Sequence, residues 1–281
     1  MSIKIIADTS CDLPQHYVEK LGIGLVPFKV SFDDGETFLE RFEITSEKFS
    51  SKMLNSKALP KTAAPDPGTL MVAFEKGLSS ADQIIFFSIS SALSSGYQNA
   101  HLAAGMLKTE RITIYDGLSI SLGTGILIIK TAEMIRQGLA MEEISMRLNE
   151  LRKNTEMFMM VDSLENLVKG GRLGKYEGMA GSFLNIKPII RMSDNGVPEI
   201  FEKVRGKRKA LNRLIDLIGE RAGDNVSQRI IGISHLDCIE DAQEMAGLIK
   251  ERYQPEYEII ISGIGSTLGT HGGPGSIFIA F

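Results

Sequence analysis

The sequence contains no tryptophan, only two cysteines and four histidines among its 281 residues. Two cysteines cannot form the disulfide framework of a small secreted protein, so we expect Cys11 and Cys238 to be reduced. The nearest candidate for a membrane span, residues 117–129, is too short to cross a bilayer, and no signal-peptide pattern follows the amino terminus. These absences predict a cytoplasmic protein.

A strong charge of one sign is also absent. The 31 Lys and Arg residues against 35 Asp and Glu residues give a net charge of −4, and hydrophobic residues make up 43% of the chain. This composition is typical of a globular protein, and it argues against a disordered chain or a surface that binds nucleic acid throughout. Glycine is in excess, with 28 residues, where about 7% of a chain is usual.

Short apolar runs rich in Ile, Val and Phe alternate with helical patterns, which predicts an α/β fold with a mainly parallel sheet. We predict strands at residues 3–7, 24–32, 84–90, 112–115, 157–161, 186–192, 199–204, 230–234, 258–262 and 277–281. We predict helices at 119–136, 141–153, 210–221 and 239–252, and one that begins at Asp66-Pro67.

The alternation is regular up to Val161 and then gives way to a glycine-rich stretch at residues 170–181. A hairpin turn, Asp194-Asn195-Gly196, follows between two predicted strands. This change of pattern predicts two α/β domains, residues 1–158 with a mainly parallel sheet and residues 159–281 with a mixed sheet.

Most catalytic signatures are missing. Residues 170–175 lack the spacing and the final Ser or Thr of a phosphate-binding loop, and no nucleophile elbow occurs. The glycines of residues 263–269 are one residue too widely spaced for a dinucleotide loop. His235 and Cys238 lack the second pair of ligands that a structural metal site needs, so we predict no metal.

Three polar segments remain unusual. Thr62 lies in a predicted loop before a helix, and Ser94 lies in a serine-rich turn where a buried strand gives way to a helix. His271 lies in a predicted loop among glycines, where backbone can approach a ligand closely. Such groups can bind an anion beyond the strand ends. The alternatives are an ordinary turn, a helix cap and a bystander histidine.

Two basic features complete the pattern. Lys169-Gly170-Gly171-Arg172 is a glycine turn that carries an arginine, and five cations occur within residues 203–209. A solvated helix start explains such a run, and so does a docking surface for an acidic or phosphate-bearing partner.

Taken in order, these segments resemble the motifs of the DegV family, bacterial fatty-acid-binding proteins that act as carrier subunits of fatty acid kinase. Residues 8–13, Asp-Thr-Ser-Cys-Asp-Leu, resemble the opening motif of that family. Five further segments agree along essentially the whole chain. They are the loop around Thr62 and residues 90–100, 167–172, 186–189 and 269–275.

The resemblance implies two α/β domains with one long-chain fatty acid held between them in an apolar tunnel. The carboxylate-binding residues of the family map to Thr62, Ser94 and His271, and Ser95 is included beside Ser94. No cofactor is implied, and the ligand is the fatty acid itself.

The resemblance also implies a partner. Arg172 and Arg205 correspond to arginines associated with the kinase-facing surface. The chain would then be a carrier rather than an enzyme, and a fatty acid kinase would convert the bound carboxylate to an acyl phosphate. No nucleic acid is implied, and transient membrane contact would serve lipid exchange.

The alternative is a small-molecule enzyme with His271 as general acid or base. It predicts turnover without a partner and a second titratable group near His271. A nucleic-acid binder acting through residues 203–209 ranks last, because Phe201 is the only aromatic residue close by.

Overall fold

The computed structural model of this chain describes residues 2–173 and 185–281. The glycine-rich stretch from residue 174 onward therefore lies outside the described residues. The strands are β1 Ile3–Asp8, β2 Gly24–Val26, β3 Lys29–Ser31, β4 Thr37–Leu39, β5 Lys61–Ala63, β6 Gln83–Ser88, β7 Ile112–Asp116, β8 Met157–Met160, β9 Ile186–Met192, β10 Pro198–Arg205, β11 Gly232–His235, β12 Ile260–Gly263 and β13 Ile277–Ala280. The helices are α1 Gln15–Lys20, α2 Ser46–Asn55, α3 Pro67–Leu78, α4 Gly96–Leu107, α5 Ser121–Arg136, α6 Met141–Lys153, α7 Glu165–Lys169, α8 Lys207–Ala222, α9 Ile239–Tyr253 and α10 Ser266–Gly272.

The first sheet is parallel, with the strand order β2-β1-β6-β7. Its two inner strands, β1 and β6, are mostly apolar and mostly buried, because both faces of the sheet are covered. On one face Phe86 packs with Phe74 of α3, and on the other Phe87 joins the large central core. Helix α3 begins as predicted, since the Asp66 side chain accepts a hydrogen bond from the Thr69 N–H at 2.9 Å.

The second sheet has six strands in the order β10-β9-β8-β13-β11-β12, and only β11 and β12 pair in parallel. It is therefore the mixed sheet expected for the second half of the chain. The predicted hairpin joins β9 to β10, with Gly196 at a φ of +71°. Strand β8 spans residue 158 and pairs within this sheet, and the division of the chain at that residue stays a prediction.

A third sheet, antiparallel with the order β4-β3-β5, was not anticipated. The prediction of one strand over residues 24–32 is wrong, because the run is divided at Pro27 into β2 and β3, which belong to different sheets. Proline lacks the N–H that a central strand donates. Thr62, predicted in a loop, lies in β5 opposite Val30.

Helix α5 lies between the two larger sheets and contacts strands of both. It begins at Ser121 rather than at the predicted residue 119, and nearly all of its first three turns are buried. The central core joins this helix to one face of each sheet, with Phe87 on one side and Met159 and Phe278 on the other. The halves of the chain thus share one apolar interior, and the site described next lies within it.

Candidate ligand-binding site

A cavity of about 280 Å³ lies between the parallel and the mixed sheet and opens to the surface. This volume is near the lower end of the range for ligand pockets, roughly 300–1,000 Å³. The apolar part of its wall includes Phe28, Ile89, Ile120, Met159, Met192 and Phe278. The polar side chains on its wall are Thr62, Ser94, Ser95, Arg172, Thr267 and His271. All four residues predicted to bind a carboxylate therefore line the same cavity.

Contacts place several of these polar residues close together. A Cβ added to Gly96 would lie 3.7 Å from the Ser94 Oγ and 3.9 Å from Ala64, two residues after Thr62. The Arg172 Nε donates a hydrogen bond to the carbonyl oxygen of Leu93, next to Ser94, at 3.3 Å. Ser94, Arg172 and His271 are therefore neighbours, and the part of the cavity that they line is called its polar end below.

Ser94 and Ser95 lie between the end of β6 and the start of α4. The Ser94 Oγ accepts a hydrogen bond from the Gly96 N–H at 3.2 Å, so it helps to order the helix start and keeps its own O–H for another acceptor. Ser95 is exposed at the N-cap, where its side chain makes no capping bond. The capping role and the ligand role considered for Ser94 are therefore compatible.

His271 lies in the last turn of α10, not in a loop as predicted. Gly170 leaves room for its ring, because a Cβ at that position would lie 2.3 Å from the His271 Nδ1. Burial, and then the positive charge of Arg172, lower the pKa of His271 to about 4. The imidazole is therefore neutral near pH 7 and donates through a single ring nitrogen.

The start of α10 is held by two buried carboxyl groups from the first half of the chain. The Gly265 N–H donates to the Asp12 Oδ1 at 2.9 Å, and the Thr267 N–H donates to the Glu40 Oε1 at 2.6 Å. Helix starts expose free N–H groups that favour such acceptors. Asp12 belongs to the opening motif of residues 8–13, so this motif positions the helix that carries His271.

Burial is the main cause of unusual pKa values in the same motif. It raises the pKa of Asp12 to about 8 and that of Asp8 to about 6, while hydrogen bonds from Ser121 and Ser10 act in the opposite direction. Asp8 also fixes the serine-rich turn, since its Oδ2 accepts a hydrogen bond from the Ile89 N–H at 2.8 Å. The motif thus supports two of the three segments that line the polar end.

Thr267 is a site residue that the sequence reasoning missed. Its Oγ1 is buried at the cavity wall and has no hydrogen-bond partner among residues 2–173 and 185–281. A buried hydroxyl normally has a partner, so this one is available to a ligand. The sequence did contain a signal for Thr267, because this hydroxyl residue lies in the glycine-rich segment 263–269. In the structure, that segment leads into α10.

The two predicted docking arginines are in different places. Arg172 is half-buried at the polar end of the cavity, where its Nη1 donates to the carbonyl oxygen of Gly170 at 2.6 Å. Arg205 is exposed at the end of β10, outside the cavity wall as far as the structure describes it. In the basic run, Lys207 forms an ion pair with Asp241 at 2.6 Å. A docking role for either arginine stays a prediction.

Within the described part of the chain, no group of three or more His, Cys, Asp and Glu side chains could hold a metal ion. The buried Cys238 Sγ donates instead to the carbonyl oxygen of Ser276 at 3.4 Å. Among the same residues, no helix is long and apolar enough to cross a membrane.

A family model described as "Uncharacterised protein, DegV family" matches residues 2–281. The chain belongs to the DegV family. It is 33% identical to a DegV domain-containing protein of Caldanaerobacter subterraneus subsp. tengcongensis, over 99% of this chain and 98% of the relative. Three of the segments that resemble the family motifs contribute Thr62, Ser94 and His271 to the cavity wall.

Solved structures of DegV proteins have the same fold. A DegV family protein from Thermus thermophilus, described as binding fatty acid, superposes with a TM-score of 0.92 at 27% identity, covering 100% of this chain and 99% of the other. DegV from Bacillus subtilis, described as a fatty acid binding protein, gives a TM-score of 0.89 at 30% identity, with 100% and 98% covered. The α/β fold with a parallel and a mixed sheet is therefore the fold of this family.

Proposed function

We propose that this chain binds one long-chain fatty acid, with the acyl chain in the apolar part of the cavity and the carboxylate at its polar end. One observation carries the proposal: Thr62, Ser94 and His271 come from distant parts of the chain and line a single cavity, much of whose remaining wall is apolar. The two solved relatives described above as fatty-acid-binding proteins support it.

The acyl chain supplies most of the affinity in this proposal. Burial of one methylene group contributes about 0.8 kcal/mol, so a chain of about fifteen contributes about 12 kcal/mol before the entropic cost of association. The carboxylate fixes the orientation of the ligand and contributes the smaller share of the affinity. A carboxylate taken out of water needs donors, and the hydroxyls of Thr62, Ser94 and Thr267 and the neutral His271 supply them.

The proposed role is that of a carrier rather than an enzyme. Ser95 is exposed and Ser94 is half-buried, so the bound carboxylate would stay within reach of a second protein. A fatty acid kinase in the cytoplasm would transfer a phosphoryl group to it and leave an acyl phosphate on the carrier. The neighbour that perturbs the pKa of His271 most is Arg172, a permanent cation, whereas a general acid–base mechanism would favour a second titratable group there.

We expect the purified protein to retain a fatty acid that native mass spectrometry detects. The double variant Ser94→Ala, His271→Ala should bind oleate and palmitate at least about a hundredfold more weakly, since two hydrogen bonds to a charged group together contribute at least about 3 kcal/mol. The double variant Ser91→Ala, His101→Ala removes the same chemical groups outside the cavity wall and should bind normally. Absence of fatty acid and of binding in the unaltered protein would overturn the proposal.

We expect Arg205→Ala to leave fatty acid binding unchanged and to lower the kcat/KM of the partner kinase by about tenfold, which corresponds to about 1.4 kcal/mol. Arg205 is exposed and lies outside the cavity wall. This variant therefore tests docking of the kinase without changing the site that binds the fatty acid. Arg172→Ala should impair both steps, because that side chain also lines the cavity. Lys250→Ala, an exposed cation on α9, is the control. Normal kinase turnover with Arg205→Ala would remove the docking role of this residue.

A further inference from the structure

A second cavity, of about 240 Å³, lies beside the first. Met192 lines both cavities. Ile120, just before α5, lines the first cavity, whereas Ser119 and Leu127 on either side of it in sequence line the second. The two spaces are therefore neighbours along the same elements, with the Met192 side chain between them.

The two cavities lie one after the other along strand β8. Val161, just after this strand, and Met159 line the first cavity, and Met157 lines the second. Alternate residues of a strand share a face, and four residues span about 14 Å. The antiparallel register of β8 with β9 pairs Phe158 with Arg191, which brings Met192 level with Met157. Met192 thus lies at the far end of the first cavity.

The polar end of the first cavity lies at the other end of this line. The chain continues from Val161 into α7 and the turn that carries Arg172, which lies beside His271. A carboxylate held there would direct the acyl chain along β8, past Met159 and toward Met192. The second cavity is therefore in line with the proposed acyl chain.

Part of the wall of the second cavity is apolar and can contact methylene groups. Leu118, Leu127 and Met157 form the apolar part of its wall, and charged residues line the rest, among them Arg152, Lys153 and Asp194. Arg191 belongs to the same cavity, but its guanidinium is engaged with the Glu156 carboxylate at 2.8 and 3.1 Å. The apolar wall is thus the part of this cavity that an acyl chain would contact.

We propose that Met192 determines the acyl chain length, and that the second cavity takes the distal end of chains too long for the first. The inference rests on the proposed function. The unbranched, flexible side chain of methionine suits such a partition, because it can move without displacing the backbone. Shorter chains would end at Met192, and longer ones would require this side chain to move.

The test is the binding of a series of saturated fatty acids of increasing length, with Met192→Ala as the variant. We expect affinity for the longest acids to rise about tenfold relative to palmitate, which corresponds to about two further buried methylene groups. Met160→Ala is the matched control, because Met160 is buried in the other face of the mixed sheet, away from both cavities. Its length preference should stay that of the unaltered protein.

Adding Leu127→Phe to Met192→Ala should narrow the second cavity and shift the preference back toward that of the unaltered protein. An unchanged length profile in a folded Met192→Ala protein, with palmitate still bound, would overturn the role of Met192 and leave the proposed function intact. Failure of the unaltered protein to bind any acid of the series would overturn both.

Discussion

Replacing Glu40 by alanine is expected to lower the free energy of unfolding by about 3–5 kcal/mol, because three buried hydrogen-bond donors lose their acceptor. Glu40 is only 1% exposed. Its carboxylate accepts hydrogen bonds from the Thr9 hydroxyl, the Ser266 hydroxyl and the Thr267 N–H. Alanine would leave these buried donors without their acceptor, at about 1–3 kcal/mol for each unsatisfied group.

The same substitution is expected to weaken fatty acid binding. Glu40 connects the first half of the chain to the start of α10, and this short helix carries both Thr267 and His271. A helix of seven residues has little stability of its own, so its position depends on such contacts. Loss of the acceptor would therefore displace two of the proposed head-group donors together.

Urea unfolding and a fatty acid titration measure the two effects. Glu36→Ala is the control, because Glu36 is an exposed partner of Lys52, and such a surface pair contributes about 0–1 kcal/mol. Glu40→Gln keeps an oxygen acceptor. Its losses of stability and of fatty acid affinity should lie between those of Glu36→Ala and Glu40→Ala. A stability loss below about 1 kcal/mol in Glu40→Ala would show that this contact does not hold the two halves together.

Long periodic segments of the sequence predicted their structure well. Residues 141–153 form α6 with the predicted bounds, and α9 ends one residue beyond its predicted end. Strands of three residues, such as those of the third sheet, are too short to show a period, and their pairing depends on distant partners. In the run at residues 24–32, Pro27 was a signal for the division into β2 and β3, whereas their membership of different sheets depends on the tertiary context.

The polar end of the site was predictable because its residues occur in recognisable local motifs. The family resemblance pointed to Thr62, Ser94 and His271, and the structure brings them to one cavity. The apolar wall was not predictable, since Met159 and Met192 look like any buried strand residues until the sheets are packed together. Glu40 was missed for a similar reason, because its partners are far away in sequence and only the fold joins them.

The second large expected effect is the dependence of the free energy of unfolding on pH. Burial raises the pKa of Asp12 to about 8 in the folded chain, against an ordinary value of 3.8. The folded state therefore keeps a proton that the unfolded state releases, so this residue's contribution to stability is full below about pH 4 and is lost as the pH rises to about 8. Between these limits it makes the free energy of unfolding fall by up to about 1.4 kcal/mol per pH unit.

Asp12→Asn should remove this slope. Asparagine resembles the protonated acid, since its Oδ1 can accept from the Gly265 N–H and its Nδ2 can donate to the Ser121 hydroxyl. Unfolding measured by urea at pH 5, 6, 7 and 8 should therefore depend less on pH in the variant than in the unaltered protein. The remaining dependence at the acidic end should include that of Asp8, whose pKa is raised to about 6.

Asp82→Asn is the control for this comparison. Asp82 is an exposed carboxyl whose pKa is lowered by hydrogen bonds from Ser2, so its contribution is lost only as the pH falls through the acidic range. Its replacement should leave the slope between pH 5 and 8 unchanged. Equal slopes for Asp12→Asn and the unaltered protein would mean that Asp12 is ionised in the folded chain, and that α10 is held by a carboxylate anion rather than by a neutral acid.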